Sequence, residues 1–357
     1  MTASAPEKEN THNMNTTNPI GIKGLAFIEY TGPNPDFFEQ TFHKLGFSKI
    51  REHHSLPISH YRSGIASFLL NRSSGKFAET FHKAHGQSAC AFAFEVENAQ
   101  TAFETAIQRG ATAIPQDLLD HDYPAVYGVG DSAIYFVDGF FDHLDKDSHG
   151  FKLISTPETI PSVGFEFIDH FTNNVQQGKK DEWSDFYRHI FGFTELQYFD
   201  IRGEKTGLLS YALQSPCKTF CIPINEATEE KSQIAEYIRE YKGAGIQHIA
   251  LHTSNILTTL DKMEAAGIET LDIDDDYYET VFERVPNVKE DKAHIQRHQV
   301  LVDGDERGYL LQIFTKNMFG PIFFEFIQRA DNNGFGEGNF GALFKSIERD
   351  QERRGVL

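Results

Sequence analysis

The chain repeats itself, and the repeat narrows what it can fold into more than any other feature. Residues 88–110, from Ser88 through Asn98 to Gly110, recur as Gly245 through Asn255 to Gly267, an offset of 157 positions. Both stretches read as a buried strand, an amphipathic helix and a glycine stop. A second pair agrees: Phe37–Phe47 has its counterpart in Asp185–Phe193, each a helix ended by a glycine (Gly46, Gly192) ahead of a strand. Within each half the order strand, helix, strands occurs twice, which predicts an α+β protein of four βαβββ-like modules, two per half. A boundary is expected at residues 155–161, where Pro157 and Pro161 interrupt helix and strand alike. This gives two domains, residues 19–154 and 162–357, behind a tail over residues 1–18. That tail is rich in Thr, Asn, Glu and Ser, lacks the apolar core of a signal peptide, and is expected to be disordered.

The second half carries three awkward side chains that the first half lacks. Phe323-Phe324-Glu325-Phe326-Ile327 reads as an apolar strand with a carboxylate inside it. With a period of two, Phe323, Glu325 and Ile327 share one face, so Glu325 either meets water at a sheet edge or is buried with a partner. A lone glutamate would take the first course. Two other strand-like segments, however, carry a histidine in the same way: His170 within Phe165–Thr172, and His248 within Gly245–His252. Two imidazoles and one carboxylate are the facial triad that holds non-heme Fe(II) and leaves positions open for substrate and O2. His252 competes with His248, but the intervening Ile249, Ala250 and Leu251 read as strand, on which positions four apart lie about 13 Å from each other. In the register of the repeat Ala91 stands for His248 and Phe27 for His170, and Ser132–Val137 offers no carboxylate for Glu325. The first half is therefore expected to keep the scaffold without the metal. His170 and His248 fall on the opening strands of the third and fourth modules, and Glu325 on a closing strand of the fourth.

Charge and cysteine usage exclude some classes of function. With 33 basic against 52 acidic residues the net charge is −19, which argues against a nucleic-acid backbone or an anionic membrane surface as partner. No apolar run approaches a membrane span. Cys90, Cys217 and Cys221 are an odd three, expected as reduced thiols in the cytoplasm. Gly336-Glu-Gly338-Asn-Phe-Gly341 matches a dinucleotide fingerprint in letters only. A Rossmann unit needs an acidic residue about 20 positions later, within a βαβ unit, and the chain ends at Leu357. The segment instead turns into a last helix whose apolar face is Phe340, Leu343, Phe344 and Ile347, with Glu348, Arg349, Asp350 and Glu352 expected outside.

At these residues, and at Pro223-Ile-Asn225-Glu226, Lys231-Ser-Gln233-Ile234, Gly243–Ala250, Leu310–Lys316 and Gly334–Phe340, the sequence strongly resembles the 4-hydroxyphenylpyruvate dioxygenases of the vicinal oxygen chelate (glyoxalase/dioxygenase) superfamily. The resemblance covers about residues 20–357 and departs at Cys217, where a glycine is expected. It implies two open, barrel-like domains of tandem βαβββ modules. It also implies a single Fe(II) on His170, His248 and Glu325, and a substrate pocket of Ser210, Asn225, Gln233, Gln312, Phe314, Phe323, Phe335 and Phe340. Within that pocket the resemblance gives catalytic parts to Gln233, Gln312, Asn225 and Phe340. The implied reaction converts 4-hydroxyphenylpyruvate and O2 to homogentisate and CO2 in tyrosine catabolism, with neither 2-oxoglutarate nor a nucleotide, in a homo-oligomer (dimer or tetramer). Gln247 lies in a family motif, yet strand alternation points it away from His248 and it is left out of the site. The alternatives are a 4-hydroxymandelate synthase with the same substrate and metal and a metal-free binding protein on this scaffold. A glyoxalase-like isomerase or extradiol dioxygenase is disfavoured by Gln312 and Phe335–Phe340.

Overall fold

The computed structural model describes residues 17–357. The tail expected over residues 1–18 falls outside the described residues as far as residue 16; Asn18 is already tied down, its amide exchanging hydrogen bonds with the backbone N–H and C=O of Ile22. The first half runs β1 (Ile22–Thr31), α1 (Pro35–Lys44), β2 (Ser48–His53), β3 (Ile58–Ser63), β4 (Ala66–Asn71), α2 (Phe77–His85), β5 (Ser88–Val96), α3 (Ala99–Gln108), β6 (Ala125–Tyr127), β7 (Ala133–Asp138) and β8 (Phe151–Leu153). The second runs β9 (Phe165–Val175), α4 (Lys180–Phe191), β10 (Thr194–Arg202), β11 (Gly207–Gln214), β12 (Cys221–Ala227), α5 (Gln233–Tyr241), β13 (Gly245–Thr253), α6 (Ile256–Ala265), α7 (Asp276–Arg284), α8 (Lys292–Arg297), β14 (Leu301–Gly304), β15 (Tyr309–Phe314), β16 (Phe323–Ala330) and α9 (Phe340–Arg353). No strand or helix lies between β8 and β9.

The duplication is visible down to the helix caps. Asn98 and Asn255, 157 positions apart, each accept a hydrogen bond from a backbone N–H three residues on, at 2.8 and 3.0 Å, and so start α3 and α6 in the same way. Gly192 ends α4 in the left-handed conformation, with φ of 80°, as a glycine stop should.

Each half forms one sheet of eight strands, ordered β6-β7-β5-β1-β4-β3-β2-β8 and β10-β11-β12-β9-β13-β16-β15-β14. The opening strands pair alike: β1 is antiparallel to β5 and parallel to β4, and β9 is antiparallel to β13 and parallel to β12. Likewise β5 runs parallel to β7, and β13 to β16. This is the expected architecture of tandem βαβββ modules, with two local differences. The last strand of the second module, β8, leaves its neighbours and pairs with β2 at the far edge. The fourth module inserts α7 and α8 between α6 and β14.

The heavy use of phenylalanine joins the halves. Phe92 of β5 meets Phe171 of β9 with ring centroids 4.7 Å apart, Phe38 of α1 meets Phe319 at 4.5 Å, and Phe68 of β4 meets Phe324 of β16 at 6.0 Å. Buried residues of both sheets thus form one continuous apolar core. Cys90, Cys217 and Cys221 are free thiols, and among the described residues no helix is long and apolar enough to cross a membrane.

Candidate metal centre

Strand register alone brings three donors to one place. Ala250 of β13 lies opposite His170 on one neighbour, β9, and opposite Glu325 on the other, β16. Residues on one rung share a face, so His170 and Glu325 flank a methyl group, and His248, two residues before Ala250, points the same way. Strands in a sheet lie about 4.8 Å apart, so two long side chains on either side of a small one can meet above it. They do: His170 Nε2 lies 3.1 Å and His248 Nε2 3.6 Å from Glu325 Oε2, and the three donor atoms fall within 4.8 Å of one another. His170 and Glu325 are buried, each 3% exposed.

Two β-bulges prepare these histidines. Between the pairs Ile246↔Asn173 and His248↔Thr172, β13 advances two residues while β9 advances one, and Gln247 is the extra residue. Between Ala250↔His170 and Leu251↔Ile168 the extra residue is Asp169 on β9. A bulge breaks strict alternation and re-aims the inserted side chain. The expectation that Gln247 faces away from His248 is therefore overturned: it lines the cavity, and its Oε1 lies 3.2 Å from His248 Nδ1. Asp169 Oδ2 likewise lies 2.7 Å from His170 Nδ1. With Nδ1–H donated to these oxygens, both imidazoles present Nε2 to the site.

The electrostatics favour a cation there. Burial raises the Asp169 carboxyl, but the Arg329 guanidinium and His170 outweigh it and hold the group well below the usual carboxylate range. Burial disfavours charge on His170, yet the Glu325 and Asp169 carboxylates prevail and push it up to about 9. His248, buried and facing His170, is held well below its ordinary value. A buried carboxylate that draws a proton onto its neighbour can equally be met by a divalent ion, and the donor set of two imidazoles and one carboxylate suits iron. Asp261, His294 and His298 form a second group with donor atoms in reach of one another, but it lies toward solvent and Arg297 shares the Asp261 oxygen at 3.2 Å, an ion-paired cluster.

Above the triad opens a cavity of about 1140 Å³, open solvent at its mouth included. Of the pocket residues expected from sequence, Ser210, Asn225, Gln233, Phe314, Phe323, Phe335 and Phe340 line it. Ser210 and Asn225 are rung partners on β11 and β12, and Gln233 opens α5. Phe323 stacks on the His248 ring at 4.9 Å, and Phe335 meets the His170 ring edge-on at 5.5 Å. Gln312 is the exception among the expected lining residues. It is 1% exposed, with its Nε2 unpaired, and sits tucked under Gly336, where a Cβ would come within 2.2 Å of that nitrogen. The turn carrying Phe335 covers it. His252 lies apart, stacked on Phe167 and 3.1 Å from Glu166.

The apolar face of α9, from Phe340 through Leu343 and Phe344 to Ile347, lines the same cavity. Glu348 was expected in solvent and is instead buried, 4% exposed. Its carboxylate accepts the backbone N–H groups of Glu204, Lys205 and Thr206 and the Thr206 hydroxyl, satisfying the turn between β10 and β11. Helical periodicity shows which face is apolar but not which loop lies beside it. Thr172, Asp169 and Arg329 were also missed, since nothing in strand alternation marks them; Thr172 Oγ1 lies 3.0 Å from His248 Nε2. Cys217 stays in its loop, near Ser215 and Thr219, and does not line the cavity.

Known proteins resemble this chain in sequence and in fold. The sequence family described as hydroxyphenylpyruvate dioxygenase, N-terminal, matches residues 16–149, and the glyoxalase/bleomycin resistance protein/dioxygenase superfamily matches residues 167–301. The protein MelA of Shewanella colwelliana is 50% identical over 95% of this chain and 99% of its own length. A 4-hydroxyphenylpyruvate dioxygenase of Legionella pneumophila is 44% identical over 96% of this chain and 99% of its own. In shape, a variant of 4-hydroxymandelate synthase from Streptomyces coelicolor superposes with a TM-score of 0.79 at 22% identity, covering 92% of this chain and 99% of that one.

Proposed function

For a chain that belongs to the 4-hydroxyphenylpyruvate dioxygenase family, we propose the reaction of 4-hydroxyphenylpyruvate with O2 to homogentisate and CO2, at an Fe(II) held by His170, His248 and Glu325. The observation that carries this reading is the buried convergence of the three donors on one sheet face, beneath an aromatic cavity. An Fe(II) held by these three side chains would supply the binding of the 2-oxo acid and the activation of O2. The protein's part is to bind, orient and keep dry. Asp169 and Gln247 hold the Nδ1 protons of the two histidines, which fixes both rings with Nε2 forward. Phe335 and Phe340 offer faces and edges to the substrate ring, and Phe323, which lines the same cavity, stacks on the His248 ring and holds its plane. Asn225, Gln233 and Ser210 hydrogen-bond the substrate's polar groups without adding charge. Gln312, one layer back, positions the turn that presents Phe335.

The substrate brings its own oxo acid, so no second oxo acid is consumed. We place the reaction in the cytoplasm, where three free thiols remain reduced. The test is oxygen uptake by the Fe(II)-loaded chain on 4-hydroxyphenylpyruvate without 2-oxoglutarate, followed by chromatography of the product. Homogentisate is expected. 4-Hydroxymandelate would replace the assigned reaction while keeping the metal site, and no uptake would remove both.

A further inference from the structure

Arg329, on β16 one residue short of its end, uses its guanidinium in two directions. Toward the metal centre it grips Asp169 with both arms of a fork, Nε to Oδ1 at 2.7 Å and Nη2 to Oδ2 at 2.9 Å. Away from it, Nη1 donates to the carbonyls of Gly334 at 2.7 Å and Asn332 at 3.1 Å. The first direction ends on His170, because the same Asp169 carboxylate accepts His170 Nδ1–H. The second ends on Phe335, the next residue of the turn, whose ring touches His170 from the pocket side and lies 6.0 Å from the guanidinium carbon. The rest of the turn is held by its own backbone and by two neighbours: Asp331 adopts φ of 58°, Asn332 Oδ1 accepts the Gly334 N–H at 2.8 Å, Asn332 Nδ2 donates to the Gly308 carbonyl at 3.4 Å, and Gly336 lies over Gln312. The side chains of Arg329 and Asp169 are only 16% and 11% exposed.

We propose that Arg329 is a positioning residue that couples the metal-facing imidazole of His170 to the turn carrying Phe335, so that metal occupancy and the aromatic wall of the pocket tighten together. The inference rests on the metal-centre reading above. Only a planar fork can hold a carboxylate with two nitrogens and a pair of carbonyls with the third. Lysine keeps the charge and loses that geometry. A merely structural ion pair would contribute to stability without transmitting metal binding to residues 331–340.

The experiment uses Co(II) alone as the probe on the full chain, with no substrate. Affinity is read from the d–d absorption, and amide hydrogen exchange is followed across residues 331–340 with and without metal. In the unmodified protein, Co(II) is expected to slow exchange in this segment. In Arg329→Lys, Co(II) should still bind, about tenfold more weakly, and exchange in the segment should no longer respond to it. Asp169→Asn, which keeps the shape and breaks the other end of the same link, should behave alike. Metal binding without any change in exchange in the unmodified chain, or a folded Arg329→Lys with unchanged affinity and an unchanged response, would overturn the coupling alone. Failure of the unmodified chain to bind Co(II) would overturn the metal-centre reading and the coupling with it.

Discussion

Glu325 is a carboxylate that folding removes from water, and two imidazoles reach the same oxygen. Glu325→Gln offers a hard cation a neutral amide, and His248→Ala removes a ligand outright. Changes one layer behind a metal typically cost 10- to 100-fold. Loss of a ligand should therefore lower turnover by more than about 100-fold, with circular dichroism unchanged; wild-type turnover in either iron-saturated variant would refute the assignment. A second prediction concerns stability. Burial pushes the Glu95 carboxyl up to about 7, offset in part by the backbone N–H groups of Phe140 and Gly139. The unfolded chain releases this proton near pH 4.3, so folding is opposed by ionisation and stability should fall as pH rises from about 4.5 to about 7. Glu95→Gln should flatten that slope in thermal melts taken across this range, and an identical slope would contradict it. At this scale the sequence was legible where alternation held. It marked Glu325, His170 and His248, but it missed Gln247 and Asp169, because an inserted residue shifts the phase of a strand without leaving a mark in the hydrophobic pattern.

Among the elements, α9 is the one whose role can be separated from the scaffold. It contributes none of the three donors, yet Phe340, Leu343, Phe344 and Ile347 all line the cavity. We read it as a lid. Truncation after Asn333 spares the three donors but removes Phe335 with the helix, so turnover should suffer more than metal affinity and the ratio of homogentisate formed to O2 consumed should fall, because aromatic contact and water exclusion are lost together. Truncation also exposes an apolar surface that can aggregate, so Phe340→Ala, the milder change, should show the same direction of effect. An unchanged ratio in both variants, with full turnover, would make the helix purely structural. The helix and its apolar face were legible from spacing alone. The burial of Glu348 was not, because its partners are backbone N–H groups of residues 204–206, more than 140 positions away.

For the molecule as a whole, duplication was the most legible property, and the repeat predicted four strand–helix–strands modules, two per half, while the pairing of their strands came only with the structure. The joining of the halves through Phe92–Phe171 and Phe38–Phe319 was not legible, since an aromatic residue reads as buried whichever sheet it meets. Register makes the loss of the first site concrete. Phe27 pairs with Ala93 as His170 pairs with Ala250, Ala91 stands for His248, and Tyr135, opposite Ala93 on β7, stands for Glu325. Metal analysis should accordingly return about one iron per chain after anaerobic loading and desalting, and two tightly bound ions would contradict this reading of the first half. The most direct test of the central claim is a turnover under ¹⁸O2 by the iron-loaded chain with 4-hydroxyphenylpyruvate. The account predicts homogentisate labelled in both its new ring hydroxyl and its carboxylate, with CO2 released in step with O2 uptake. Oxygen consumption without labelled homogentisate, or no consumption by a fully loaded chain, would contradict it.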